Sequence, residues 1–125
     1  MQDDPGDPST WDPALDAVAA APANHKVLFE NDRLRVLEVV VPPGEGEPVH
    51  HHRWPSVFVF DSLKPPVHDV SPAGEVLPPN RDVMAALQEW DGQGCLVVRM
   101  APQPAGSVEN ASDTPIHGVR IEMKV

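Results

Sequence analysis

Cysteine is almost absent from the 125-residue chain: Cys95 stands alone, which rules out an intrachain disulfide. It lies in Gly94-Cys95-Leu96-Val97-Val98-Arg99-Met100, where a buried, inert thiol is expected. Basic residues are few. Nine Lys and Arg stand against nineteen Asp and Glu, giving a formal charge of −10. That balance argues against nucleic acid or an anionic membrane as a partner, since both demand a basic surface. Part of the acidity is local, at Asp3, Asp4, Asp7, Asp12 and Asp16, so the folded body is less acidic than the total, and solubility is its simplest reason. No apolar run reaches membrane-spanning length. The N-terminus has no basic stretch leading into an apolar core, so a cytoplasmic location is expected. There is no Gly-rich phosphate loop, no Gly-x-Ser-x-Gly elbow and no Cys pair.

Proline, by contrast, is abundant, at 16 residues. It is excluded from helix interiors and central strands, so many short strands with Pro-rich corners fit this chain better than a helical bundle. The length suits one domain. Residues 1–22 read as a mobile acidic Pro-rich tail with a short helix after Pro13, and residues 23–125 as the folded domain. Within it, residues 25–29 and 33–41 read as strands joined by Glu30-Asn31-Asp32, and Pro42-Pro43-Gly44 closes the second. Residues 57–60 and 96–100 are apolar strands, with Pro102-Gln103-Pro104 a corner. Val67 to Val70 and Glu75 to Leu77 fit a short hairpin across Pro72-Ala73-Gly74. Arg81 to Trp90 reads as a helix capped by Asn80, its apolar stripe formed by Val83, Met84, Leu87 and Trp90. In the last strand Val119, Ile121, Met123 and Val125 alternate with Arg120, Glu122 and Lys124, which predicts the apolar set facing inward.

Three of the six histidines are consecutive. Alternate side chains of a strand share a face, so His50 and His52 point one way and His51 the other, toward solvent. Two imidazoles on one face begin a transition-metal site that needs further ligands from neighbouring strands. Trp54 and Phe58 are candidates for the mouth of a ligand pocket, although aromatic residues beside a strand more often belong to a core. Arg35, Arg99 and Arg120 lie within strands, where a surface role is the simpler expectation and recognition of a carboxylate the sharper one.

The spacing Gly44-x5-His50-x-His52, after Pro-Pro-Gly, resembles the start of the first cupin motif. The strings from Ala23 to Val39, Glu47-Pro48-Val49-His50 and Arg53-Trp54-Pro55-Ser56 are similar to the opening of small stand-alone bacterial cupins. Ser107-Val108-Glu109-Asn110, Asp113-Thr114-Pro115 and residues 119–124 are similar to their terminal strands. The resemblance spans residues 22–125 and is poor between Asp61 and Gly94. It implies an all-β fold, a cupin-type jelly-roll β-barrel with one or two short helices and a pocket inside the barrel mouth. It also implies a homodimer, commonly made by exchange of N-terminal strands, and a metal held by two histidines and a glutamate from motif one with a histidine from motif two.

Carried over position by position, His50 and His52 match the first two ligands. The glutamate position falls on Ser56 or Val57, and the last histidine position, four before Asn110, on Gly106. The expected ligand set is therefore incomplete, with His117, His68, Glu45 and Glu47 as possible completions; two neutral imidazoles alone bind a divalent ion weakly. Three functions fit these residues. One is a cupin that binds or transforms a small organic molecule through His50 and His52, with Trp54, Phe58 and Arg35 as ligand contacts. Another is a metal-dependent dioxygenase or isomerase using Fe, Mn, Ni, Cu or Zn. The last is a non-catalytic dimeric ligand-binding protein.

Overall fold

The computed structural model describes residues 6–124, so Met1 to Pro5 of the expected tail, and Val125, lie outside the described residues. Among the described residues, eight strands form two antiparallel sheets: β1 (His25–Glu30), β2 (Leu34–Val41), β3 (His50–His52), β4 (Ser56–Ser62), β5 (Val67–Val70), β6 (Leu96–Met100), β7 (Gln103–Asn110) and β8 (Ile116–Met123). One sheet runs β1-β2-β8-β4-β6 and the other β3-β7-β5, an all-β jelly roll with two short helices, α1 (Ala17–Ala20) and α2 (Arg81–Glu89). The turn chemistry matches the sequence. Asn31 Oδ1 accepts from the backbone of both Arg33 and Leu34 to close β1 onto β2, and Gly44, at φ +74°, makes the bend after Pro42-Pro43 that few other residues adopt. Asn110, enclosed at the end of β7, donates to the Val41 and Thr114 carbonyls and accepts from Ser112, binding three chain segments together.

Register sorts the interior into layers. Arg35, Glu122, Ser56 and Met100 stand side by side across β2, β8, β4 and β6. The next layer holds Leu37, Arg120, Phe58 and Val98, and the one beyond holds Val39, Gly118, Phe60 and Leu96. Val41 and Ile116 close the far end. The interior is thus polar at one end and apolar at the other, and each large apolar side chain in the apolar end contributes roughly 1.5–3 kcal/mol of burial.

Several expectations are corrected. The period of β8 is as read but its phase is opposite: Gly118, Arg120 and Glu122 face the interior, while Val119, Ile121 and Met123 are half-buried on the outer face. A charged inner face survives because partners neutralise part of it, as described below. Arg35 and Arg120 are buried, not on the surface, whereas Arg99 is exposed. Cys95 is exposed, because it sits in the turn before β6 and not in the strand. Pro104 lies inside β7 instead of at a corner, tolerated where the β3–β7 register slips between His50 and His52. The short hairpin across Pro72-Ala73-Gly74 forms as expected: Val70 bridges Val76, Ser71 N–H donates to the Glu75 carbonyl and Leu77 N–H to the Asp69 carbonyl. In α2, capped by Asn80 as expected, only Val83 and Ala86 pack on the core; Met84, Leu87 and Trp90 are exposed.

Gly118 is the tightest point of the larger sheet. A Cβ there would overlap the Val59 carbonyl and stand 2.6 Å from Phe58 Cε1, whose ring stacks on Phe60 at 3.8 Å. Both neighbours are fixed, one by the ladder and one by stacking. Gly118→Ala is expected to lower stability by about 1–3 kcal/mol in urea denaturation through overpacking.

Candidate metal centre

Three imidazoles converge at the polar end of the interior. His50 and His52 come from β3, as the spacing required, and the third is His25, the first residue of β1. Asn24 fixes that strand start by exchanging bonds with the Val40 backbone, and the chain leaving α1 places the Ala21 carbonyl over the ring. The ring centroids of the three histidines are 4.7, 5.2 and 5.0 Å apart, and one donor atom from each lies within 4.8 Å of the others.

The other nitrogen of every ring is already committed. His25 Nδ1 donates to the Ala21 carbonyl at 3.0 Å, His50 Nδ1 to the Pro48 carbonyl at 2.8 Å, and His52 Nδ1 to Glu122 Oε2 at 2.9 Å. Carbonyls and carboxylates only accept, so Nδ1 carries the proton and each Nε2 keeps its lone pair. Burial, the leading cause, lowers the pKa of His25 to about 4, lowers that of His50, and drives that of His52 well below the usual value. All three are therefore neutral near pH 7, the state a metal requires.

Glu47 joins them. It precedes β3 in a segment zipped to β7, where its backbone N–H meets the Val108 carbonyl and its Oε1 accepts from Val108. Its Oε2 stands 3.5 Å from His25 Nε2 and 3.8 Å from His50 Nε2. These separations exceed hydrogen-bond lengths. They are close to the edge of about 3.4 Å expected between donors around one tetrahedral ion. Burial raises its pKa to about 7.

The two-imidazole site expected from the motif is thus extended by His25 and flanked by Glu47. Neither position that lacked its ligand regains one. Gly106 faces His50 across the β3–β7 pair, and a Cβ there would approach the Val70 carbonyl to 2.9 Å, so no histidine fits. Ser56 faces inward without a carboxylate, and Val57 points to the other face. His68 and His117 do not join the cluster among the described residues. His51 is buried, not solvent-facing, because the chain before α1 crosses its side of β3: Trp11 lies 5.3 Å from its ring and the Asp12 carbonyl accepts from its Nε2.

Behind the imidazoles runs a chain of charge. Glu122 is fully enclosed; its Oε1 accepts from Arg35 Nε at 2.5 Å while its Oε2 holds His52. Arg35 then clasps both oxygens of Asp16, the N-cap of α1, at 2.8 Å each. Of the residues considered as ligand contacts, Arg35 is engaged in this chain and Phe58 lies in the core cluster. Trp54 is half-buried among Arg35, Arg53 and Lys124, with the Arg53 guanidinium 4.3 Å from its ring. Sequence spacing gave no sign of His25, which lies far from the His-x-His; its position at the head of the first strand was the one available hint.

No family model matches the chain, and no curated protein does. Among solved structures, a cupin domain from Bordetella pertussis Tohama I superposes with a TM-score of 0.55 at 24% identity, covering 81% of this chain and 92% of that one. The fold is that of a small cupin. An RmlC-like cupin protein from Desulfovibrio desulfuricans is also similar, with a TM-score of 0.42 at 19% identity over 90% of this chain and 95% of that one. Among the described residues of this cupin-fold chain, no helix is long and apolar enough to cross a membrane.

His117, away from the cluster, gives a pH test. Glu38 and Asp61 accept from its two nitrogens, at 2.9 and 2.6 Å, and hydrogen bonds to these carboxylates raise its pKa above 6.5. A raised folded pKa gives stability that is complete below the unfolded value and is lost as pH rises through the folded one. NMR titration is expected to place His117 above 6.5, and His117→Gln to remove that part of the stability decline on the alkaline side of 6.5.

Proposed function

We propose that the protein is a metal-dependent small cupin in which His25, His50 and His52 hold one divalent transition ion through Nε2, with Glu47 as a further oxygen ligand. The reading is carried by the tautomers. Three buried imidazoles each give Nδ1–H to an oxygen acceptor, which leaves the Nε2 lone pair of each unprotonated, and one nitrogen of each ring lies within 4.8 Å of the others. A structural core histidine needs only one such bond, and three arranged alike around a common centre fit a ligand set. Imidazole nitrogens with one carboxylate suit Zn, Fe, Ni or Cu better than Mg or Ca. When bound, such an ion supplies Lewis acidity toward an oxygen of a small organic ligand, or a place to activate dioxygen.

The chain's own residues do the rest. Glu122 orients His52 and raises its basicity, Arg35 holds Glu122, and Asp16 holds Arg35. The apolar layers beneath exclude water from the imidazoles. A homodimer is part of the same proposal. β1 is an outer strand of its sheet, and Val27, Leu28 and Phe29 on it are 39%, 50% and 52% exposed, an apolar edge that a second copy would cover.

Tag-free protein is expected to carry or take up one equivalent of a transition metal by elemental analysis and titration; no uptake from any of these ions would sink the reading. His25→Ala is expected to weaken binding by at least about 100-fold, and Glu122→Gln by about 10–100-fold, as for a lost orienting partner. Light scattering is expected to report a dimer, shifted toward monomer by Leu28→Glu with Phe29→Glu; a wild-type monomer at high concentration would refute that part.

A further inference from the structure

Arg120 is 2% exposed at the centre of β8, between Leu37 on β2 and Phe58 on β4. Its Nε and Nη2 are buried and bond to nothing among the described residues; its contact is with the face of Phe58, 5.8 Å from guanidinium carbon to ring centroid. Arg35, one layer away, shows what a satisfied guanidinium looks like here, with three bonds to two carboxylates. A buried guanidinium left unpaired costs several kcal/mol, and such an atom usually marks a missing ion, water or ligand.

A second orphan lies beside it. Ser56 pairs with Glu122 across the β4–β8 ladder, which places it diagonal to Arg120 on the same inward face, and its Oγ is buried without a partner. Arg120 is also one inward-facing position along β8 from Glu122, whose Oε2 holds His52 of the imidazole cluster. Neither the Glu122 nor the Glu47 carboxylate is free to serve it, since Glu122 is committed to Arg35 and His52, and Glu47 turns toward His25, His50 and Val108. With a divalent ion in place, the ion, Arg35 and Arg120 carry four positive charges, while Asp16, Glu47 and Glu122 carry three negative ones. One anion restores the balance.

We propose that Arg120 and Ser56 form an anion-holding subsite beside the three imidazoles, taking the carboxylate of a small organic acid. The guanidinium offers a planar fork matched to two carboxylate oxygens, and the Ser56 hydroxyl adds a neutral donor. This names the ligand class for the metal reading and rests on it for the ligand's contact with the ion, though not for the contact with Arg120.

Calorimetric titration of formate and glycolate into the full chain tests it, with formamide and glycolamide as neutral controls, in metal-loaded and metal-stripped protein. The carboxylates are expected to bind saturably and the amides at least about tenfold more weakly. Arg120→Gln should cost about tenfold or more in carboxylate affinity while keeping its metal content, and Arg120→Lys should fall between, having the charge without the fork. Ser56→Ala should give a smaller loss, and with the lysine variant it carries the test if Arg120→Gln does not fold. Equal binding of acid and amide, undiminished binding by Arg120→Gln or Arg120→Lys, or no saturable carboxylate binding in either form overturns the proposal. Absence of metal uptake overturns only the metal reading, because the stripped protein still reports on Arg120.

Discussion

The carboxylate of Glu122 is the point on which the interior depends. It is completely enclosed, and both oxygens are spent, one on Arg35 and one on His52. An unpaired carboxylate at that depth would be costly, so Glu122 ties Arg35 of β2 and His52 of β3 to β8, in addition to the backbone ladder between β2 and β8. Arg35 extends the constraint to the N-cap of α1 through Asp16, and the same stretch lays Trp11 and Asp12 over His51. The segment ahead of β1 is thereby tied into the polar end of the fold.

The layering of the interior runs from a charged end to an apolar one, with Arg120 at the boundary against Leu37 and Phe58. Phe58, Phe60, Val98, Leu96 and Ile116 build an apolar floor, and Glu122, Arg35 and His52 bond to one another above it. Desolvation then does two things at once. It suppresses protonation of the imidazoles, which leaves their lone pairs available, and it makes every unshared donor costly enough that Arg120 and Ser56 call for a partner.

Much of the fold was legible in the chain. The bend at Pro42-Pro43-Gly44, the strand over residues 33–41, the turn at Asn31 and the cap at Asn80 each carry a local signal, and the structure agrees with each. The His50/His52 pair located the polar end for the same reason, since period 2 fixes which side chains share a face. What local patterning could not supply was phase. In β8 hydropathy alone selects Val119, Ile121 and Met123 as the inner face, and the structure puts that more apolar set outside. The choice is made by Arg35 and His52, far away in sequence, which neutralise Glu122. His25 was hidden in the same way: its neighbours in space come from β3, and its place at the head of its strand is the one mark it carries.

Gly106 bears on how this site could change. The position opposite His50 lies against the Val70 carbonyl, with no room for even a methyl group. A histidine cannot be restored there by one substitution, because β5 would first have to move off β7. The third imidazole has a home on β1 instead, so any route from this arrangement back to one built wholly on β3 and β7 passes through a displaced strand before a new ligand can arrive. The three imidazoles are held in place by backbone geometry on one side as firmly as by their own bonds on the other.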